Sequence, residues 1–222
     1  VAMPEGSWAQ KASNWRSFKA ADGLAESFTT SVMVSPRGHV WAKHFEANSI
    51  NWLDGYEVKA IPSPGVGNYR VYEGRAGQIW TVYPEGLQEF HNGEWIRYPI
   101  REIRAEYQTN ALRQTWPIPL VPMKQGHVLF LLTDRLMELD NEFQTQITVI
   151  RQVHQTGLGK FWDLVAARDG ALWVSGANGL ARLPATGRVL KPETEWQEFI
   201  LDPQLQVRDL QALTEDDQGG IT

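Results

Sequence analysis

The chain has 222 residues, a formal net charge of −5 and no cysteine. An acidic balance works against nucleic acid and anionic membrane surfaces, which demand a basic face, and the missing thiols exclude disulfides and thiolate metal centres. No apolar run reaches the roughly 18 residues of a membrane span and no charged-then-apolar leader opens the sequence, so no membrane contact is expected from this segment.

In chain order, the first predicted strand lies in GLAESFTTSVMVSPRGHVWAKH (23 to 44), which runs from a Gly-Leu pair through an apolar strand and a Pro-Arg-Gly turn into Val-Trp. Four short strands follow, NYRVYE (68 to 73), QIWTVY (78 to 83), GLQEFH (86 to 91) and EWIRYP (94 to 99). Asn92-Gly93 supplies the positive φ angles of a two-residue hairpin, so the last two are expected to pair antiparallel. IREIRAEYQTNALRQTWPIP (100 to 119) places Ile100, Ile103, Tyr107 and Ala111 roughly on one helical face before Pro117. Either a short helix or ordered lid beside a channel, or a plain surface excursion, fits that spacing; Arg101, Arg104 and Arg113 lie on it. WDLVAA, ALWVSG, GLARLP and WQEFIL then repeat the four-strand scheme over 162 to 201.

A period underlies these elements. A glycine followed two residues later by an aliphatic recurs at Gly38, Gly77, Gly126, Gly170 and Gly219, in steps of 39, 49, 44 and 49 residues. The next position carries Trp41, Trp80, Leu129, Trp173 and Thr222, and six residues before each glycine come Val32, Val71, Leu120, Leu164 and Leu213. Leu87, Leu136 and Leu180 recur in the third strand, and Trp15/Phe18, Trp95/Tyr98 and Trp196/Phe199 in the outermost one. Four strands per unit of about 44 residues, each sheet needing a neighbour on both faces, predict an all-β, single-domain β-propeller over residues 1–222. Placing Val1 after Thr222 aligns GGIT-VAMPEG with GQIWTVYPEG without a gap. The expectation is therefore five blades, the two termini completing one of them, with a fragment of a larger propeller as the alternative.

GLAESFTTSVMVSPRGHVW (23 to 41) and TGLGKFWDLVAARDGALWVSGANGL (156 to 180) resemble the two-component regulator propeller repeat, and LQVRDLQALTEDDQGGI (205 to 221) resembles it through its acidic turn. The second and third copies are more divergent. The resemblance implies the sensor region of a bacterial signalling protein, periplasmic or extracellular, attached to other domains and recognising small molecules that are often glycan fragments.

No catalytic constellation stands out. His39 and His127 share one repeat column on different blades, which keeps them apart, so no metal pair is expected, and no cofactor. Glu215-Asp216-Asp217 lacks the alternating acids of a calcium loop and reads as a solvated turn. The segments leading into the inner strands hold aromatic plates beside charged groups, a combination suited to a sugar ring: Phe28, Tyr69, Arg70, Trp116, Trp162, Asp163, Arg208 and Asp209. Wedging between blades is the competing role for those aromatics. The function expected is non-enzymatic recognition of a small molecule or glycan at the channel mouth. A protein-interaction scaffold, or a lyase resembling the propeller antibiotic-inactivating enzymes, are the alternatives.

Overall fold

Among the described residues, the alternation in the sequence becomes sixteen strands in four antiparallel sheets. The computed structural model describes residues 16–65, 69–111, 116–123, 126–142, 144–184, 190–205 and 207–222. Blade one holds β1 (Thr29–Val34), β2 (Val40–His44), β3 (Ser49–Leu53) and β4 (Val58–Pro62). Blade two holds β5 (Val71–Glu73), β6 (Ile79–Tyr83), β7 (Gly86–His91) and β8 (Glu94–Pro99). Blade three holds β9 (Leu120–Pro122), β10 (His127–Leu131), β11 (Arg135–Asp140) and β12 (Gln146–Gln152). Blade four holds β13 (Phe161–Ala166), β14 (Leu172–Gly176), β15 (Gly179–Leu183) and β16 (Gln197–Ile200). Strand order equals chain order in every sheet, so each blade is an up-and-down meander with its first strand innermost. Asn92 and Gly93 take φ values of 51° and 90°, and His91 pairs with Glu94 across that turn.

The blade count departs from the expected five full sheets. Four complete blades are described, and beyond them Glu215 and Ile221 form an isolated antiparallel bridge, with Thr214 and Thr222 exchanging backbone hydrogen bonds beside it. The expectation that the two terminal segments complete a fifth blade, with Trp15 in its outermost strand, falls on residues 1–15, which lie outside the described residues.

Each repeat column faces one neighbour. Trp41 packs toward blade two, Trp80 toward blade three and Leu129 toward blade four, all buried. Val71, Leu120 and Leu164 face the preceding blade. Alternation along a strand produces this two-sided arrangement, since successive side chains leave opposite faces. In β10, Val128 and Phe130 join the core between blades two and three while Leu129 and Leu131 join that between three and four. A strand covered on both faces reads as an unbroken apolar run. Where a full neighbouring sheet is not among the described residues, the same columns are open: Val32 is 61% exposed and Trp173, stacked on Phe199, is half-buried.

The insertion after β8 forms α1 (Arg101–Thr109), with Ile100 and Ile103 buried between blades two and three and Tyr107 against the same core. Buried Glu106 accepts hydrogen bonds from the Thr133 hydroxyl at 2.8 Å and its backbone N–H at 3.3 Å, docking the helix on the β10–β11 loop. The helix is thus a plug over two blades. Arg101 and Arg104 are exposed, and Arg113 lies outside the described residues.

Two features yield tests. A Cβ on Gly179 would lie 2.2 Å from the Phe199 carbonyl oxygen and one on Gly86, the equivalent position, 2.0 Å from that of Tyr98. Forcing the outer strand away should cost about 1–3 kcal/mol in Gly179→Ala, read as a lowered urea midpoint; an unchanged midpoint would contradict this strand spacing. Between blades two and three, Tyr98 donates to Glu89 at 3.2 Å and accepts from the Asn141 amide at 3.0 Å. Burial raises the Glu89 carboxyl above its ordinary value of 4.5, and burial with the Glu89 charge pushes Tyr98 up to about 12. A carboxyl raised in the folded state favours folding when protonated and loses that contribution as pH climbs through its folded value. Glu89→Gln should therefore raise the melting temperature at pH 7.5 while leaving it nearly unchanged at pH 4, measured by calorimetry.

Candidate functional site

The innermost strands β1, β5, β9 and β13, together with Leu213–Asp217, surround a central cavity of about 1200 Å3. Its wall mixes apolar side chains such as Met33, Trp41 and Leu120 with charged ones such as Arg70, Glu73 and Asp163. One end carries the glycine turns that join first and second strands; the other carries the connections between blades.

At the turn end, three arginines placed one or two residues before their glycines clasp neighbouring parts of the ring. Arg37 reaches from blade one to Glu73 of blade two at 3.0 Å. Arg75 crosses from blade two to the Ala167 carbonyl of blade four at 2.7 Å. Arg168 pairs with Glu215 at 3.3 Å and donates to the Asp216 carbonyl, holding the last segment to blade four. Asp169 sits beside them with its carboxyl held below the usual range by the Ala171 N–H and then the Arg182 guanidinium.

Glu73 is the most committed of these groups. It is buried and accepts from Arg37, from the His39 ring Nδ1 at 2.9 Å and from the Trp41 indole at 2.9 Å. A carboxylate taken out of water is tolerated where donors replace its hydration. Asp163 is similarly spoken for: its Oδ1 accepts from the Leu164 N–H at 2.8 Å and its Oδ2 from the Leu213 N–H at 2.9 Å, tying the last segment to β13.

Arg70 differs. Its Nε donates to the Met33 sulfur at 3.0 Å and its guanidinium lies 5.5 Å from the Tyr72 ring centre. Among the described residues it has no carboxylate partner, although it lines the cavity.

Of the eight residues singled out from the sequence, Arg70 and Asp163 line the cavity. Trp162 and Asp209 come together outside its wall, the indole donating to Asp209 at 2.9 Å. Tyr69 packs against the core between blades one and two, its hydroxyl 2.8 Å from that of Ser63 and the Lys43 ammonium 4.1 Å above its ring. Phe28 is exposed and meets Phe45 edge-on at 5.7 Å, and Trp116 and Arg208 are exposed off the wall. Glu73, Arg75 and Arg168 went unremarked as site residues; the column of arginines just before the repeated glycines was the signal available for them. The acidic turn at 215–219 forms as a turn, Gly219 N–H bonding to the Asp216 carbonyl.

No protein-family model matches the chain, and no curated protein matches it. Among solved structures, virginiamycin B lyase from Staphylococcus aureus superposes with a TM-score of 0.58 at 14% identity, over 87% of this chain and 62% of that one. A streptogramin B lyase gives 0.53 at 15% identity, over 87% and 60%. The extracellular domain of a hybrid two-component system protein from B. thetaiotaomicron gives 0.55 at 14% identity, over 89% and 26%. The chain spans about three fifths of the length of the lyases and about a quarter of the two-component structure. At such identities the likeness is one of fold: a propeller of the kind found in two-component extracellular domains and in these lyases. Among the described residues no helix is long and apolar enough to cross a membrane.

Removing the Glu73 acceptor of blade two leaves three donors of blade one without their partner. Glu73→Ala should cost about 3 kcal/mol in urea unfolding. A cost under about 0.5 kcal/mol, the scale of an ordinary surface substitution, would show that the cluster does not hold the two blades together.

Proposed function

We propose that this chain is a non-enzymatic recognition propeller that binds a small oxygen-rich molecule, an acid or a glycan fragment, in its central cavity. The observation that carries the reading is Arg70, the cavity arginine with no carboxylate partner among the described residues. A guanidinium that lines a cavity and keeps its planar fork open is matched by a carboxylate or a pair of hydroxyls. The partly buried Met33 beside it adds an apolar wall atom that suits the face of a sugar ring. Ligands approach from the end with the blade connections, because the arginines of the turn end are engaged across the ring.

The non-enzymatic reading is supported by the state of the carboxylates. A general acid or base needs a proton-exchanging group poised near working pH. Glu73 is saturated with donors, Asp163 accepts two N–H bonds, and Asp169 is shifted downward. Fold likeness to extracellular domains of two-component proteins supports a sensor role outside the cytoplasm of a bacterium, with signalling domains elsewhere in the parent protein.

The test is a thermal-shift panel of oligosaccharides, uronic acids and small carboxylic acids. At least one should raise the melting temperature at micromolar concentration, and Arg70→Ala should remove that shift while leaving the unliganded melting temperature within a degree or two. A shift that survives Arg70→Ala would move the site elsewhere. Turnover of a streptogramin B antibiotic by the chain would overturn the non-enzymatic reading.

A further inference from the structure

A second locus lies at the turn end of blade three, away from the cavity wall. His127, the first residue of β10, pairs across the hairpin with Asp140, the last residue of β11. The ring is 3% exposed. Its Nδ1 sits 3.0 Å from Oε1 of buried Glu138, and its Nε2 faces Asp140 Oδ1 and Glu142 Oε2, each at 3.4 Å.

We infer that His127 Nε2, Asp140 and Glu142 form a binding site for a divalent transition cation of the zinc type. Three features support it. Glu138 is placed to accept the Nδ1 proton, which leaves the Nε2 lone pair directed at the two carboxylates; a carboxylate behind the far nitrogen is the usual partner of a metal-bound imidazole. Bonds of about 2.1 Å from one tetrahedral ion hold its ligand atoms about 3.4 Å apart, which is the separation of Nε2 from each carboxylate oxygen. The candidate ligand atoms all lie within 4.8 Å of one another.

The backbone fits the purpose. Asp140 Oδ1 accepts the Glu142 N–H at 2.9 Å, and the Asn141 N–H donates to the Gly126 carbonyl at 2.7 Å, so the two carboxylates are carried on a closed turn. A Cβ on Gly126, whose φ is 77°, would lie 3.0 Å from the Glu142 nitrogen, so a side chain there would crowd the approach of that turn to His127. The carboxylates are 40% and 47% exposed, which gives a cation a path from solvent and leaves a fourth position for water. An imidazole with two carboxylates selects Zn2+ over Mg2+ or Ca2+, which take oxygen ligands alone. Such an ion would brace the β10–β11 hairpin.

Zn2+ titrated into tag-free, chelator-stripped full chain should bind with one equivalent per chain by calorimetry and raise the melting temperature. Asp140→Asn and Glu142→Gln, at partly exposed positions chosen to keep the fold, should each weaken binding at least tenfold, and Glu138→Gln by about 10- to 100-fold. Co2+ substituted at the site should give the visible absorption of a tetrahedral ion, lost in Asp140→Asn. No binding at millimolar Zn2+, or an equivalent that survives Asp140→Asn and Glu142→Gln, would overturn the assignment and leave the cluster as a hydrogen-bonded brace of the hairpin.

Discussion

A four-stranded sheet with apolar side chains on both faces is stable in water only when each face meets another sheet, and this constraint organises the whole molecule. The first and second strands of every copy alternate so that one set of side chains turns to the preceding blade and the other to the following one. Leu120 and Val121 are adjacent in β9 yet belong to different cores. Burial on this scale, at about 25 cal/mol per Å2 of apolar surface, is the driving force that keeps blades in contact. In blade one the column that Val71, Leu120 and Leu164 occupy elsewhere holds Val32, with no complete preceding sheet among the described residues, and Val32 stays exposed. Exposure there and burial at Val71, Leu120 and Leu164 are two outcomes of one rule.

Apolar stacking fixes separation between blades but not their register, and the polar contacts supply it. Glu73 collects three donors from blade one; Asp163 collects backbone donors from its own strand and from Leu213. Each carboxylate sits where burial would be costly without those bonds. The tryptophan column shows the same requirement. Trp41 has a partner for its indole N–H in Glu73, Trp80 is buried with none among the described residues, and Leu129 needs none. A column that demands a large apolar side chain facing the next blade, and only secondarily a polar partner, tolerates leucine. The third copy could therefore lose its tryptophan and keep its blade.

The blades were legible in the sequence because each strand's burial is written into its own alternation and each turn into its own glycine or Asn-Gly pair. Residues 100–111 were legible as a helical face but not as a plug, since the contact that docks α1 is a carboxylate of one insertion meeting a loop hydroxyl 27 positions later. Site residues were harder. Position within the repeat located Arg70 and Asp163 near the channel, but not that Asp163 serves the backbone of the last segment while Arg70 stays open. Tyr69 precedes β5 as expected while Trp162 falls inside β13, and their rings settle against a core or a neighbouring segment beside the cavity wall. The grouping of His127 with Asp140 and Glu142 depends on the β10–β11 register, and the hairpin pairing is the signal that would have found it.

Repeat equivalence gives that last grouping its meaning. His39 and His127 hold the same position, one residue past the turn glycine, and both rings turn Nδ1 toward a buried glutamate. In blade one the glutamate comes from the neighbouring sheet, so the histidine becomes part of a clamp between blades. In blade three it comes from the same hairpin, which leaves the far nitrogen directed at carboxylates on its own turn. A slot shaped by the fold for a buried imidazole thus has two uses, set by which sheet supplies the acid. The difference follows from the neighbouring blade: the repeat position that carries Glu73, four residues before the turn glycine, is Ala166 in blade four, which offers no carboxylate, and the polar contacts of His127 are made with its own strand pair.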